Sequence, residues 1–266
     1  MKTVLGNIIA IYRRELQSYF ASPLAYGIAA VFWLLAGFLL VLTVFGPAGL
    51  LSQSALADQS GQAVPPIDLP YEFVRFYLGL LGSLSMFVLP MLSMGLYAEE
   101  RKQGTLELLA TSPVTNWVVA LGKLLGVVTF YITMVLPLMV CEALILAASD
   151  PPFKFTILLL GHGGLILLAA GVLSLGLFVS SLTESTVLAA ILTFALVLVL
   201  WVIDGVASAV PGPVGDAIGH LSLLTHYDDF IQGILDTSGL VLFLSYVVLG
   251  LFLTAQSIET LRFQRS

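Results

Sequence analysis

Charge is what this chain has least of. Its 266 residues include 10 Lys and Arg and 16 Asp and Glu, 10% together, where a soluble domain carries about 25%. That shortage excludes an ordinary water-soluble domain. It leaves bilayer hydrocarbon as the main solvent, in keeping with 59% hydrophobic residues and a mean hydropathy of +1.04. The net charge of −6 says little alone, because in a membrane protein the informative quantity is the side on which each charge lies. Cysteine is nearly absent. The lone Cys141 excludes an intrachain disulfide and reads as a small packing residue in an apolar run. A G-x-x-x-x-G-K-[ST] phosphate loop is also missing. The nearest string, Gly122-Lys123-Leu124, lacks the upstream glycine and the following Ser or Thr, and it opens an apolar segment. The chain is therefore expected to be no enzyme and to hold no cofactor. No nucleophile–base pairing is legible, and no nucleic-acid partner is expected. His220 and His226, with Asp228 and Asp229 nearby, match no standard zinc spacing and read as solvated residues of a surface helix.

What is present is six apolar segments, each long enough for a hydrocarbon core that needs about 20 helical residues. They run over Leu24–Phe45, Val74–Tyr97, Trp117–Ala147, Phe155–Ser180, Val187–Val210 and Leu240–Ile258. The third exceeds a simple crossing and is expected to tilt, kink near Pro137 or extend beyond the membrane. The expected fold is an all-α membrane protein, one transmembrane domain over residues 1–266. Residues 1–21 do not read as a cleavable signal, since Arg13, Arg14 and Glu15 follow the short apolar start. As a helix they gather Leu5, Ile8, Ile9, Tyr12, Leu16, Tyr19 and Phe20 on one face and Asn7, Arg14, Gln17 and Ser18 on the other. That pattern suits an interfacial helix with its arginines toward water and lipid headgroups.

Placing the N-terminus in the cytoplasm puts Lys2, Arg13, Arg14, Arg101, Lys102, Lys123, Arg262 and Arg265 inside and leaves Arg75 and Lys154 outside. Both termini are then cytoplasmic, by the positive-inside rule. The outer loop Gly46–Pro70 has no basic residue and reads as a flexible connection. Residues 205–239 are too polar to span and too apolar for a free loop. They read as one or two short outer-face helices, after a turn at Pro211-Gly212-Pro213.

The densest charge cluster lies between the second and third spans, in the cytoplasmic segment 98–116. Its core is Glu99-Glu100-Arg101-Lys102-Gln103-Gly104-Thr105-Leu106-Glu107-Leu108-Leu109-Ala110-Thr111-Ser112-Pro113. Gly104 is a poor interior helix residue and a good turn residue. Thr105 is placed to cap a short helix over 106–111, with Leu106, Leu109 and Ala110 on one face and Glu107 in the first turn. Ser112-Pro113 stops it. Two readings fit: an ordinary wet loop, or a rigid piece that transmits movement from a soluble partner into the spans.

Leu89-Pro90-Met91-Leu92-Ser93-Met94 together with the Glu99–Pro113 motif closely resembles the permease subunits of ABC-2 type transporters, among them the gliding-motility-associated, GldF-like permeases. Arg14-Glu15-Leu16 with Phe20-Ala21-Ser22-Pro23, and Tyr227-Asp228-Asp229-Phe230-Ile231-Gln232-Gly233-Ile234-Leu235-Asp236, extend the resemblance over nearly the whole chain, though Gln232 stands where many relatives have arginine. The resemblance implies a six-span half-transporter in the plasma (inner) membrane. It would pair with a second permease subunit and dock a cytoplasmic ABC ATPase that carries ATP and Mg. Transport of an unknown substrate, export by family resemblance, would follow. Carried over, Arg13, Arg14 and Glu15 on the interfacial helix, and Glu99, Glu100, Arg101, Gly104, Thr105, Leu106, Glu107 and Leu109 in the coupling segment, form the ATPase-facing surface.

Two rival functions remain at this stage: an ion- or proton-coupled carrier, and a membrane anchor that passes ATPase work to outer-face partners. A carrier is expected to show a midplane ionisable residue and an internal repeat. Glu142 is the best such candidate, although it and Asp204 fall toward outer ends where they reach the interface. Lys123, near an inner end, can snorkel. Gly122 and Gly126, and the glycines of the fourth span, imply close helix packing.

Overall fold

The computed structural model describes residues 2–47, 49–60, 68–105, 114–149, 153–210, 212, 215 and 219–263. Every regular element among the described residues is a helix: α1 (Lys2–Ala21), α2 (Pro23–Phe45), α3 (Leu50–Ser60), α4 (Leu69–Ser93) and α5 (Gly95–Lys102). The order continues with α6 (Asn116–Ala147), α7 (Phe155–Leu182), α8 (Thr186–Ala209), α9 (Leu223–Ile231) and α10 (Thr237–Phe263). Among the described residues six stretches are long and apolar enough to cross a membrane, and α4 with α5 counts as one of them. The starts follow local chemistry. Ser22, Asp68, Ser185 and Ser222 each precede a helix and accept a backbone N–H from its first turn, with Pro23 and Pro70 at early positions that need no N–H.

The bundle is built around α7. In its most apolar stretch 72% of residues are buried, against 28% for α2 and 17% for α8. Glycines let neighbours approach. Gly161 meets Leu78 of α4, Gly164 meets Phe230 of α9 and Gly176 meets Ser93 of α4. From α10, a Cβ at Gly250 would lie 2.5 Å from the Ser174 carbonyl carbon. Buried hydroxyls then tie helices through backbone carbonyls that hydrocarbon cannot solvate: Tyr77 donates to Ala36 O at 3.1 Å and Tyr227 to Leu78 O at 2.6 Å.

Four expectations change. The loop Gly46–Pro70 carries a helix, α3, over Leu50–Ser60. The second span is longer than expected and jointed: Pro90 removes a helical N–H, α4 ends at Ser93, and α5 starts afresh at Gly95. Cys141 is exposed on α6, while its neighbour Glu142, expected at the interface, is fully buried against His162. His226 is buried instead of solvated, its Nδ1 donating to Ser222 O at 2.8 Å.

Packing at Gly250 gives a paired prediction. Gly250→Ala pushes a methyl into α7 backbone and is expected to cost about 2 kcal/mol. Gly163→Ala meets open space and is expected to stabilise by about 0.5–1 kcal/mol through helix propensity. Thermal unfolding of the detergent-solubilised chain measures both, and equal shifts would contradict the packing.

Candidate functional site

Lys123 lies in the third turn of α6 with 3% of its surface exposed. An ammonium there must be neutralised locally. Its Nζ is 3.0 Å from Glu100 Oε1 of α5 and 3.1 Å from Glu15 Oε2 of α1, and it stands 5.1 Å from the centre of the Tyr97 ring. The expected snorkelling does not occur because α1 and α5 close over the amine. Arg14 approaches Glu100 Oε1 at 3.8 Å from the solvent side, its side chain 71% exposed. Two cations thus balance two carboxylates. Glu100 Oε2 is buried without a hydrogen-bond partner among the described residues.

Each element is held for its own reason. α1 lies along α6 because Gly122 and Gly126 leave room: added Cβ atoms would meet Ile11 Cγ2 at 2.7 Å and Glu15 Cβ at 2.8 Å. Its covered residues are Ile8, Ile11, Tyr12, Glu15, Leu16 and Tyr19, so the expected apolar face divides. Leu5, Ile9 and Phe20 stay uncovered by protein, and Arg13 and Arg14 are exposed as expected. The Tyr19 hydroxyl donates to Leu92 O at 2.6 Å, at the α4–α5 joint. Burial, with the Glu15 carboxylate second, holds this phenol well above its ordinary pKa, so it remains a donor.

α5 begins without a cap of its own. The Ser180 hydroxyl of α7 receives the N–H groups of Tyr97 and Ala98, each at 3.0 Å, and donates to Met94 O at 2.9 Å. This satisfies helix-start donors from another helix. α5 ends at Gly104, whose φ of +71° suits a residue without a Cβ. Thr105 N–H returns to Glu100 O at 3.0 Å and Gly104 N–H to Arg101 O at 3.1 Å, the double bond of a Schellman stop. Arg101 Nη1 donates to Ser181 O at 2.7 Å, tying α5 to the last turn of α7. Its 4.0 Å pair with the exposed Glu184 adds little. Glu99 is exposed and accepts from Gln103 Nε2 at 3.3 Å. A cavity of about 300 Å³ opens beside the node, lined by Glu15, Tyr19, Leu92, Glu99 and Lys102 among others.

The expected residues therefore separate. Glu15, Glu100 and Arg14 converge; Arg13 and Glu99 are each exposed; Arg101 faces α7; Gly104 and Thr105 close α5. Leu106, Glu107 and Leu109, with the short helix expected over 106–111, lie outside the described residues. Sequence reasoning missed Lys123 as the centre. Its signal was present: a lone cation inside an apolar helix, flanked by Gly122 and Gly126.

Removing the amine strands two carboxylates. Lys123→Met is expected to destabilise the chain by about 3 kcal/mol, whereas Glu15→Gln/Lys123→Met/Glu100→Gln together recovers most of that loss. Unfolding of the three proteins in detergent measures the difference. A triple variant no better than the single would remove the electrostatic account.

Residues 70–218, more than half of the chain, match the family model described as ABC-2 family transporter protein. No curated protein matches the chain. The matched region takes in Glu100, Lys123 and the hub helix α7, while Glu15 lies before it. The chain belongs to the ABC-2 transporter family, as a multi-pass membrane component that associates with an ABC ATPase.

Proposed function

We propose that this chain is the permease subunit of an ATP-binding-cassette exporter of the gliding-motility-associated, GldF-like kind. It pairs with a second permease subunit in the plasma (inner) membrane, surrounded by lipid, with both termini cytoplasmic. A separate cytoplasmic ATPase binds ATP and Mg and docks on Arg13, Arg14, Glu15, Glu99, Glu100, Arg101, Gly104 and Thr105, and on the adjoining Leu106, Glu107 and Leu109.

The observation that carries this reading is the buried ion node on Lys123. It joins the interfacial helix α1 and the short helix α5 to the root of one transmembrane helix. A push on the exposed rim of either passes to α6, and through Ser180 and Arg101 to α7. Packed elements shifted as units are a known route from a soluble motor to a membrane bundle. α1 and α5 carry exposed charge of both signs, Arg13 and Arg14 on one and Glu99 and Lys102 on the other, which favours oriented docking over a purely apolar contact.

Arg13→Glu reverses an exposed charge on α1 and leaves Arg14, Glu15, Glu100 and Lys123 of the node in place. In a reconstituted complex with its partner ABC ATPase, this variant is expected to lower permease-stimulated ATP hydrolysis about tenfold, a loss of ~1.4 kcal/mol in coupling. Its melting temperature is expected to stay near the parent's, because exposed pairs contribute little. An ATPase that neither co-purifies with the chain nor changes its hydrolysis rate on reconstitution would sink the reading.

A further inference from the structure

The bundle holds a second buried charge cluster that the docking reading leaves unused. Glu142 of α6 and His162 of α7 face each other at 3.3 Å between Oε1 and Nε2, with side chains 0% and 3% exposed. The contact is within hydrogen-bonding distance but off the in-line geometry. Neither carboxylate oxygen nor Nε2 has another hydrogen-bond partner among the described residues. Among the described residues the Glu142 carboxyl and His162 Nε2 have only each other within reach.

The proton count between them follows from the far side of the ring. His162 Nδ1 is 3.0 Å from Leu158 O. A carbonyl only accepts, so Nδ1 carries a hydrogen. Nε2 then faces Glu142 in one of two forms: a lone pair opposite a protonated carboxyl, or an N–H opposite a carboxylate. Either form places a single proton between the two residues and leaves the pair neutral overall. Removing it leaves one unpaired negative charge in an apolar bundle, and adding another leaves one unpaired positive charge; both are costly.

Among the described residues the buried charged or imidazole side chains are Lys123, Glu142, His162 and His226, while Glu72 and Arg75 of α4 are exposed. His162 is the sole ionisable residue of α7. On the remaining neighbours of the pair, α4 offers the Tyr77 phenol, which donates to Ala36 O, and α9 offers the Tyr227 phenol, which donates to Leu78 O. Tyr131 of α6 bonds Ser85, and His226 of α9 bonds Ser222 O. Asp228 lies beside Tyr227, and Cys141 is exposed. α2 has Tyr26 alone, and α10 has Tyr246, bonded to Leu221 O, with Glu259 and Arg262 near its far end. Lys154 and Asp236 are exposed.

Position supplies the link to motion. Lys123 and Glu142 are nineteen residues apart on one helix, about 28 Å at ~1.5 Å per residue. The helix whose root carries the docking node therefore grips α7 through this pair near its other end. We propose that Glu142 and His162 form a buried proton-binding site, holding one proton while α6 and α7 are packed and releasing it to water when they part. On release Glu142 remains a carboxylate and His162 a neutral imidazole, so the bundle's rearrangement is accompanied by deprotonation. The link to transport rests on the permease reading above; the proton site itself does not.

Linkage gives the sign. In water the two groups titrate near about 4.3 and 6.5. Above about pH 6.5 the solvated pair holds no exchangeable proton while the packed pair holds one, so the packed state weakens about tenfold per pH unit. Between about 4.3 and 6.5 both states hold one, and stability is flat in this respect. Chemical unfolding of the full chain in lipid nanodiscs from about pH 3.5 to 9, without any ATPase, tests this. Glu142→Gln offers a neutral donor to Nε2 and is expected to remove the tenfold-per-unit dependence above pH 6.5. His162→Gln leaves a lone protonated Glu142, so its dependence is expected to begin about two pH units lower. The difference between each variant and the parent isolates the pair from other groups. If Glu142→Gln does not fold, the shifted onset in His162→Gln decides the matter. A parent protein flat above pH 6.5, a slope above pH 6.5 unchanged in Glu142→Gln, or an onset unchanged in His162→Gln, overturns the proposal. A pH slope with no ATPase stimulation on reconstitution would keep the proton site and discard the permease reading.

Discussion

The positive charge of Lys123 inside an apolar helix is the constraint from which one end of this molecule follows. An ammonium at 3% exposure needs anions at contact distance, and it takes them from two elements earlier in the chain, Glu15 and Glu100. α1 must therefore lie across the root of α6, which Gly122 and Gly126 permit, and α5 must turn back toward it. The joint at Met94, the Tyr19 bond to that joint and the Gly104 stop all belong to the same requirement. A pair of carboxylates held this way cannot move independently of the helix that neutralises them.

The rest of the bundle obeys a different rule. Around α7 most of the packing is uncharged: glycines and small residues let backbones approach and tyrosines spend their hydroxyls on carbonyls. The periphery is apolar in the other sense: Leu34 is 70% exposed and Val187 65%, surfaces suited to hydrocarbon and not to water. α6 connects the two regimes, with an ion node at one end and a histidine–glutamate pair toward the other.

Much of this could be read from the residues. The six spans announced themselves by length and hydropathy, which are legible within about 20 consecutive residues. Gly104 was visible as a break for the same local reason. Side-chain phase was not visible. α6 is apolar all round, so nothing in its sequence says that Cys141 faces out and Glu142 faces in. Partners were not visible either: Lys123 reaches 108 residues back to Glu15, and no local pattern encodes that separation. The ABC-2 resemblance pointed to both helices of the node but not to the lysine that joins them.

Ser180 carries a consequence for how the protein is made. The opening turn of α5 has its N–H groups satisfied by a hydroxyl 83 residues further along the chain. At a synthesis rate of roughly 5–20 residues per second, that hydroxyl is made several seconds after Tyr97. Until then the lower part of the second crossing lacks its cap, although Lys123, only 23 residues after Glu100, is already available to it. Biogenesis thus has an order built in: the electrostatic contact of α5 can form first, and its register is locked only when the fourth crossing is threaded into place.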